Sequence, residues 1–588
     1  MLVCNPFAAE SVFAYRNLVE LAREGARRGI AVVRFDYVGT GDSEGEFADA
    51  GIASRLSDIE TAWQYLEGLP GLEQLGLFGL RFGATLAALA AARFMARPDL
   101  LILADPVVDA AAYFKQALRT NIASQTTTYR KVIRDRQALA ERIQEGGLVS
   151  VVGGFPLGQR LQEEAASVSL EEELNAPAGA VLVTATAPEG SKTPPADAAR
   201  LIEAYAHAGA DVRFEPTPGP KIWDLPRSYF EAHRTLIDSV LDQMNRAAAH
   251  PGEGRDGSLP PRKGIDGSAT PFARLETPFK LRSPTGNVLS GILHHPKGPP
   301  ARHAGVLLVE VGVGTRIGMH RFNVRLARRL AELGYPVVRV DPGGVGNSEG
   351  SIGPMPLLTY YEAIEAGIFT EDLRAVLASA RRATNMDDWY VFGHCGGAVA
   401  SVLAFHSEPR IRGAVLTDMA FYPARRRPDL TQAKLASARS WIRALTFRTD
   451  YRYFLKKILA RLRERLTSLL RRSSRREGPS RVAVDRHGLN ATLVAGFRDI
   501  IRRQKEILLV FSAADHAIED FRRLESRLTR PSALPRIPYR IEVIEDANHT
   551  FFLQPAQARL MESIADWFAS DASRRPDAVP EPETSDLQ

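Results

Sequence analysis

Trp389–Phe405 reads WYVFGHCGGAVASVLAF. A β-rich apolar run ends at a glycine, turns through Gly393-His394-Cys395-Gly396-Gly397, and continues as small apolar residues at helical length. A strand that turns directly into a helix leaves the middle residue of the turn exposed above the carboxyl edge of a sheet. That residue is held at strained backbone angles, and glycines at its flanks let strand and helix pack closely. Here it is Cys395. The first turn of the helix points free N–H groups and a positive dipole end at the thiol. Both lower a thiol pKa and prepare an oxyanion site. The expected oxyanion donors are the N–H of Gly396 and one from the loop after an earlier strand, at Gly312 or Val313.

Outward from the elbow, the chain repeats itself. VVRVDPGGVGNSEG (Val337–Gly350) is answered by VVRFDYVGTGDSEG (Val32–Gly45), and VFGHCGGAVAS (Val391–Ser401) by LFGLRFGATLA (Leu77–Ala87). Two blocks in one order at similar separation imply a duplicated domain. Strands alternate with amphipathic helices around them, which predicts an α/β class with two doubly wound, mostly parallel sheets. Asp341 and Ser348 match Asp36 and Ser43 of the first copy, so they are expected to shape a turn rather than react. The expected units are residues 1–246, a Gly- and Pro-rich linker at 247–271, a second domain at 272–571 and a polar tail at 572–588. The second domain carries a strongly basic insertion at about 421–500. Tyr451, Phe454, Leu455, Ile458, Leu459, Leu462, Leu466, Leu469 and Leu470 share one helical face there. That face is either a cap packed over the sheet with a solvated basic side, or a lid meeting an anionic substrate or membrane through 451–470.

A thiol nucleophile needs a base. Where this elbow is used, the chain order is nucleophile, acid, histidine. EILLVFSAADHAIEDF (Glu506–Phe521) runs into a turn with Asp515, and YRIEVIEDANHTFF (Tyr539–Phe552) into a loop with His549. His549 Nε2 would take the thiol proton and Asp515 would fix the tautomer. His516 is a weaker histidine, Asp520 and Asp546 are fallback acids, Glu310 is a further candidate neighbour of the thiol, and His394 is read as a packing or pocket residue. In the first copy the elbow reads Gly79-Leu80-Arg81-Phe82-Gly83. A guanidinium stays protonated and is no nucleophile. Pro188, with Glu189 beside it, falls opposite Asp515, and Lys221 and Ile222 fall opposite Asn548 and His549. Arg81 therefore either binds a carboxylate or phosphate, or forms an internal ion pair in which Glu189 is one candidate partner.

Composition narrows the remaining classes. The 588 residues carry a net charge of only +6, and no nucleic-acid motif is present. Met1–Phe7 is too short and lacks the basic start of a secretory signal. Ala84–Ala96 reads as a buried helix, not a membrane span. Only Cys4 and Cys395 are present, which points to a reducing, cytoplasmic setting.

CNPFAAE (Cys4–Glu10), RFDYVGTGDSEGEFADA, GLRFGA, DPVVDAAAYFKQALR (Asp105–Arg119) and GPKIWD resemble the exosortase A system-associated hydrolase 2 family. Members of that family begin with extra strands ahead of the CNPF-like segment, whereas this sequence starts almost at that segment, so a truncated or misassigned start is one reading of it. The second half resembles the serine aminopeptidase S33-type α/β hydrolases, and GHCGGA is similar to the Gly-x-Cys-x-Gly elbow of dienelactone hydrolases. These resemblances imply two tandem α/β-hydrolase folds. They imply an acyl-cleaving or acyl-transferring enzyme with a small-molecule or carrier-bound acyl substrate and no cofactor or metal. The competing expectation is a non-catalytic scaffold of a bacterial exopolysaccharide or protein-sorting system. Substrate identity and oligomeric state are not legible in the residues.

Overall fold

The computed structural model describes residues 1–93, 98–174, 179–224, 228–229, 233–249, 275–297, 304–424, 482–528 and 539–571. The linker and tail expectations, and the 451–470 face, fall almost wholly outside these residues.

Two main sheets are present among the described residues. The first contains β1 (Leu2–Cys4), β2 (Val33–Arg34), β3 (Gly76–Leu80), β4 (Leu100–Ala104), β5 (Ala180–Ala187) and β6 (Asp211–Pro218), in the order β2-β1-β3-β4-β5-β6. Every neighbouring pair is parallel. The second contains β7 (Glu276–Arg282), β8 (Val288–His294), β9 (Ala304–Val309), β10 (Val337–Asp341), β11 (Asp388–His394), β12 (Ile411–Thr417), β13 (Glu506–Ser512) and β14 (Tyr539–Ile544). Its order is β7-β8-β10-β9-β11-β12-β13-β14, antiparallel only at the β7-β8-β10 edge. From β10 onward it repeats the first sheet strand for strand. This crossover, with the sharp turn after the fifth strand of the larger sheet, is the α/β-hydrolase arrangement, present twice.

The central strands are buried throughout, which explains why they read as continuous apolar runs rather than alternating ones. Helix α1 (Ala9–Arg27) follows β1, α2 (Phe82–Arg93) follows β3 and α3 (Ala110–Tyr129) follows β4. In the second half, α4 (Phe322–Glu332) follows β9 and α5 (Gly396–Phe405) follows β11. All ten residues of α5 are buried, as expected of a helix apolar on every side. Ala491–Arg502, inside the expected cap insertion, is instead a sheet-covering helix whose Leu493, Val494, Phe497, Ile500 and Ile501 join the second core. Only residues up to 424 and from 482 of that insertion are described, and the part that covers the sheet was misread as cap because the basic run beside it masked its boundary. Among the described residues no helix is long and apolar enough to cross a membrane.

The two halves grip each other with a near two-fold pattern. Arg16 of α1 donates to the carbonyls of Gly346 (3.1 Å), Ser348 (2.6 Å) and Gly350 (2.7 Å). Its counterpart Arg321 donates to the carbonyls of Gly41 (3.0 Å), Ser43 and Gly45 (2.6 Å), the matching positions of the first repeat block. Arg23 reaches Asn347 and Ser348 carbonyls, and Arg328 reaches those of Asp42 and Ser43. Tyr15, Val19, Ile317 and Val324 fill the seam between the clamps. Reciprocal contacts of this kind are those of an isologous dimer, here within one chain. The acceptor turns owe their shape to Ser43 Oγ on the Asp36 carbonyl (2.7 Å) and Ser348 Oγ on that of Asp341 (2.5 Å), the turn-shaping role expected of these residues.

Candidate functional site

β11 delivers Cys395 to the head of α5 with φ 48° and ψ −111°. Few L residues hold such angles unless the surroundings enforce them. The Cys395 N–H donates to the Thr417 carbonyl at the end of β12 (2.9 Å), which fixes the turn. A Cβ on Gly393 would lie 2.5 Å from the Gly397 backbone, and one on Gly397 would lie 2.3 Å from the Val309 carbonyl oxygen. The close approach of strand and helix therefore requires both glycines. Gly397→Ala is expected to lower stability by about 1–3 kcal/mol through this overlap, measured by denaturant unfolding. An unchanged midpoint would show that the turn can relax.

His549 stands over the elbow. Its Nδ1 is hydrogen-bonded to the Asp515 carboxylate. Cys395 acts on the same ring, and with Nδ1 committed to Asp515 the nitrogen left for the thiol is Nε2. Burial pulls the His549 pKa down, but the charge on Cys395 and the bonds to Asp515 and Cys395 together raise it well above its usual value. The ring therefore holds a proton more readily than a free imidazole does. Burial also works against Asp515 ionising. The hydrogen bond and charge of His549 outweigh it and hold the carboxyl at about 2. Asp515 is further tied by the Ala517 N–H (3.1 Å).

A second acid is present that the sequence reading missed. Asp418, fully buried after β12, lies 3.8 Å from His549 Nδ1 and accepts from the Ser512 N–H (2.8 Å) and Oγ (2.7 Å). Burial pushes it up to about 7, against the pull of His549. Asp105 is its first-half counterpart, at the end of β4, accepting from the Thr186 N–H (3.0 Å) and Oγ1 (2.9 Å). The available signal was the paired TDMA and ADPV at the two strand ends. Asp418, Asp515 and His549 bring ligand atoms within 4.8 Å of one another, a spacing a metal could use. The direct bond from Nδ1 to Asp515 fills the place a cation would take.

Glu310 is buried at the end of β9, accepting from Asn323 Nδ2 (3.2 Å). Burial, then the charge on Cys395, push it up to about 8 despite that bond, so it is protonated at neutral pH. Its folded pKa exceeds the unfolded value of about 4.3, so stability is lost as pH rises between the two. Glu310→Gln should thus gain stability relative to the parent as pH rises from 5 to 8. Equal differences in Tm at both pH values would contradict this.

The loop after β9 is where the second oxyanion donor is expected. Gly312 takes φ 114°, a glycine conformation, but its N–H points toward the Tyr360 hydroxyl at 3.4 Å. The residue of this loop that meets Gly396 is Val311. His394 is neutral, its pKa lowered to about 3 by burial and by the charge of His549, and its ring packs 5.2 Å from the His549 ring. His516 is largely exposed beside Glu519, while Asp520 and Asp546 face Arg523 and Arg559.

At the first elbow Arg81 has φ 58° and its N–H donates to the Ala104 carbonyl (2.9 Å), the same turn as at Cys395. Its guanidinium pairs with Glu10 at 3.5 Å and lies over the rings of Tyr113 and Trp223. The internal ion pair is therefore formed, with Glu10 and not Glu189. The Asp105 and Asp418 N–H groups donate to Thr184 and Val510, which sets the register of the next strand. Carried forward, that register puts Glu189, rather than Pro188, opposite Asp515; its side chain is exposed.

The family model for serine aminopeptidase, S33 matches residues 305–506. That span holds the elbow and β12, ends at the first residue of β13, and stops short of both Asp515 and His549. Solved structures with similar architecture include an α/β serine hydrolase without lid from Xanthomonas campestris, at 16% identity over 52% of this chain and 97% of that one, TM-score 0.29. An esterase from Pyrococcus furiosus shares 16% identity over 50% and 90%, TM-score 0.33. Est1E from Butyrivibrio proteoclasticus, with ferulic acid bound, shares 18% over 42% and 89%, TM-score 0.31. No curated protein matches the chain.

Proposed function

We propose that this chain is a hydrolase-type enzyme that cleaves or transfers an acyl group held as an ester or thioester, with Cys395 as nucleophile. The observation that carries this is the His549 ring bonded to Asp515 and in electrostatic contact with Cys395 at a strained strand–helix elbow. The thiolate attacks the acyl carbonyl, a carbon–sulfur bond forms, and the oxyanion meets the N–H groups at the head of α5. The His549 imidazolium passes its proton to the leaving alkoxide or thiolate. The neutral ring then takes a proton from water or another acceptor, which releases the acyl group. Asp515 stays ionised and holds the tautomer. The S33 match and the esterase neighbours support the reaction class, although the S33 family and the Xanthomonas hydrolase are serine enzymes.

The first half, in this reading, is an inactive copy. Arg81 fills the nucleophile position and is neutralised by Glu10. The test is incubation of the full chain with p-nitrophenyl acetate, followed by intact-mass and peptide mapping. One acyl adduct at Cys395 is expected. Labelling that persists in Cys395→Ala would refute the assignment.

A further inference from the structure

We infer that the first half is a positioning part of the second half's site, holding the loop that carries His549 through Ser124 and the Gly154 carbonyl. This rests on the reading of Cys395 and His549 as a nucleophile–base pair.

His549 lies between β14 and the next helix, Gln554–Asp571, on a loop in which Phe551 takes φ 47°. Such a loop keeps one conformation only if its polar groups are tied. The ties run across the seam. On the residue before His549, the Asn548 amide donates to Ser124 Oγ of α3 (3.0 Å) and, more weakly, to Thr127 Oγ1 (3.4 Å). Beyond the loop, the Gln554 N–H donates to Ser150 Oγ (3.0 Å). The side-chain amides of Gln554 (2.9 Å) and Gln557 (2.8 Å) both donate to the Gly154 carbonyl. These first-half partners are themselves cross-braced, since Asn121 Nδ2 donates to the Ser150 carbonyl (2.9 Å) and Gln125 Nε2 to Asn121 Oδ1 (2.8 Å). Asn121, Ser124, Gln125, Ser150 and Gln557 are all buried. A buried, mutually bonded polar network of this kind fixes one geometry.

The consequence is chemical. A base must sit within about 0.5 Å of its productive place, and an error near 1 Å costs on the order of 100-fold in rate. The half that lacks a nucleophile thereby sets the histidine of the half that has one. The bracing residues are tied to the loop and its flanks, so they act through the loop.

The experiment uses the full chain. Ser124→Ala/Thr127→Val removes both acceptors from Asn548, and Gln554→Ala is a second, independent cut in case the first variant folds poorly. Three quantities are read: the pH profile of Cys395 alkylation by iodoacetamide, kcat and KM for p-nitrophenyl acetate, and Tm. Cys4 is fully buried and does not confuse the alkylation. The expected result is an alkylation midpoint shifted toward that of a free thiol, about 8.5, and kcat lowered about 10-fold with KM little changed. An activated thiol in the parent with an unshifted profile in both variants overturns this inference and leaves the proposed function standing. So does a fall in kcat that only tracks the fraction unfolded. A parent thiol that alkylates like free cysteine overturns the nucleophile–base reading and this inference with it.

Discussion

Cys395→Ala is expected to lower acyl-ester turnover by about 10⁴-fold or more, and His549→Ala by a comparable factor. The two act as one unit, because in the proposed reaction His549 is the base that takes the thiol proton. The double variant should therefore be hardly worse than either single one, and additive losses would contradict a shared step. Asp515→Asn should cost less, since the carboxylate orients and does not react. Asp418 lies 3.8 Å from the same nitrogen and is the nearest substitute acid. Its pKa of about 7 makes it only partly ionised at neutral pH. An Asp515→Asn enzyme should accordingly regain activity as pH rises through that value, when Asp418 ionises. A flat profile would show that Asp418 cannot take over.

The elbow and its partners were legible because they are local. Gly393 to Gly397 specify a turn whose geometry excludes other residues, and Asp515 and His549 follow strands in fixed order. The duplicated fold was legible for a similar reason, since turn residues such as Gly41, Ser43 and their counterparts recur in sequence. Asp418 was hidden because its place depends on sheet register: its carboxylate meets Ser512 two strand residues past its own backbone bond to Val510. The arginine clamps were hidden more deeply. Arg16 and Arg321 donate to backbone carbonyls, and a carbonyl acceptor leaves no mark on residue type. Glu10 likewise reaches Arg81 by folding alone, whereas strand alignment points to Glu189.

Asp42→Ala is expected to destabilise the chain by about 3–5 kcal/mol, the usual cost of stripping one partner from a buried ion pair. Asp42 reaches from the first half into the second, between Arg316 (2.5 Å) and Arg339 (2.8 Å). Arg316 keeps Asp341 when Asp42 is removed. Arg339 does not fare as well. It is fully buried, and without Asp42 it is left with the neutral His294 ring (2.9 Å) and the Arg316 carbonyl (3.4 Å). His294 stays neutral because burial lowers its pKa to about 4. The pH dependence carries the sign. Burial alone would raise the Asp42 pKa, but Arg316 and Arg339 hold it well below the ordinary carboxylate range. A depressed folded pKa stabilises above the unfolded value of about 3.9, and that contribution is lost as pH falls toward the folded value. The gap in Tm between the parent and Asp42→Ala should therefore be widest near pH 7 and close on acidification. The near two-fold supplies a control. Asn347 occupies the matching position and meets Arg34 only at 3.4 Å, with no charge. Asn347→Ala should cost about 1 kcal/mol or less. Equal losses at the two sites would mean that the seam is held by shape and its carbonyl clamps, with the Asp42 charge adding nothing.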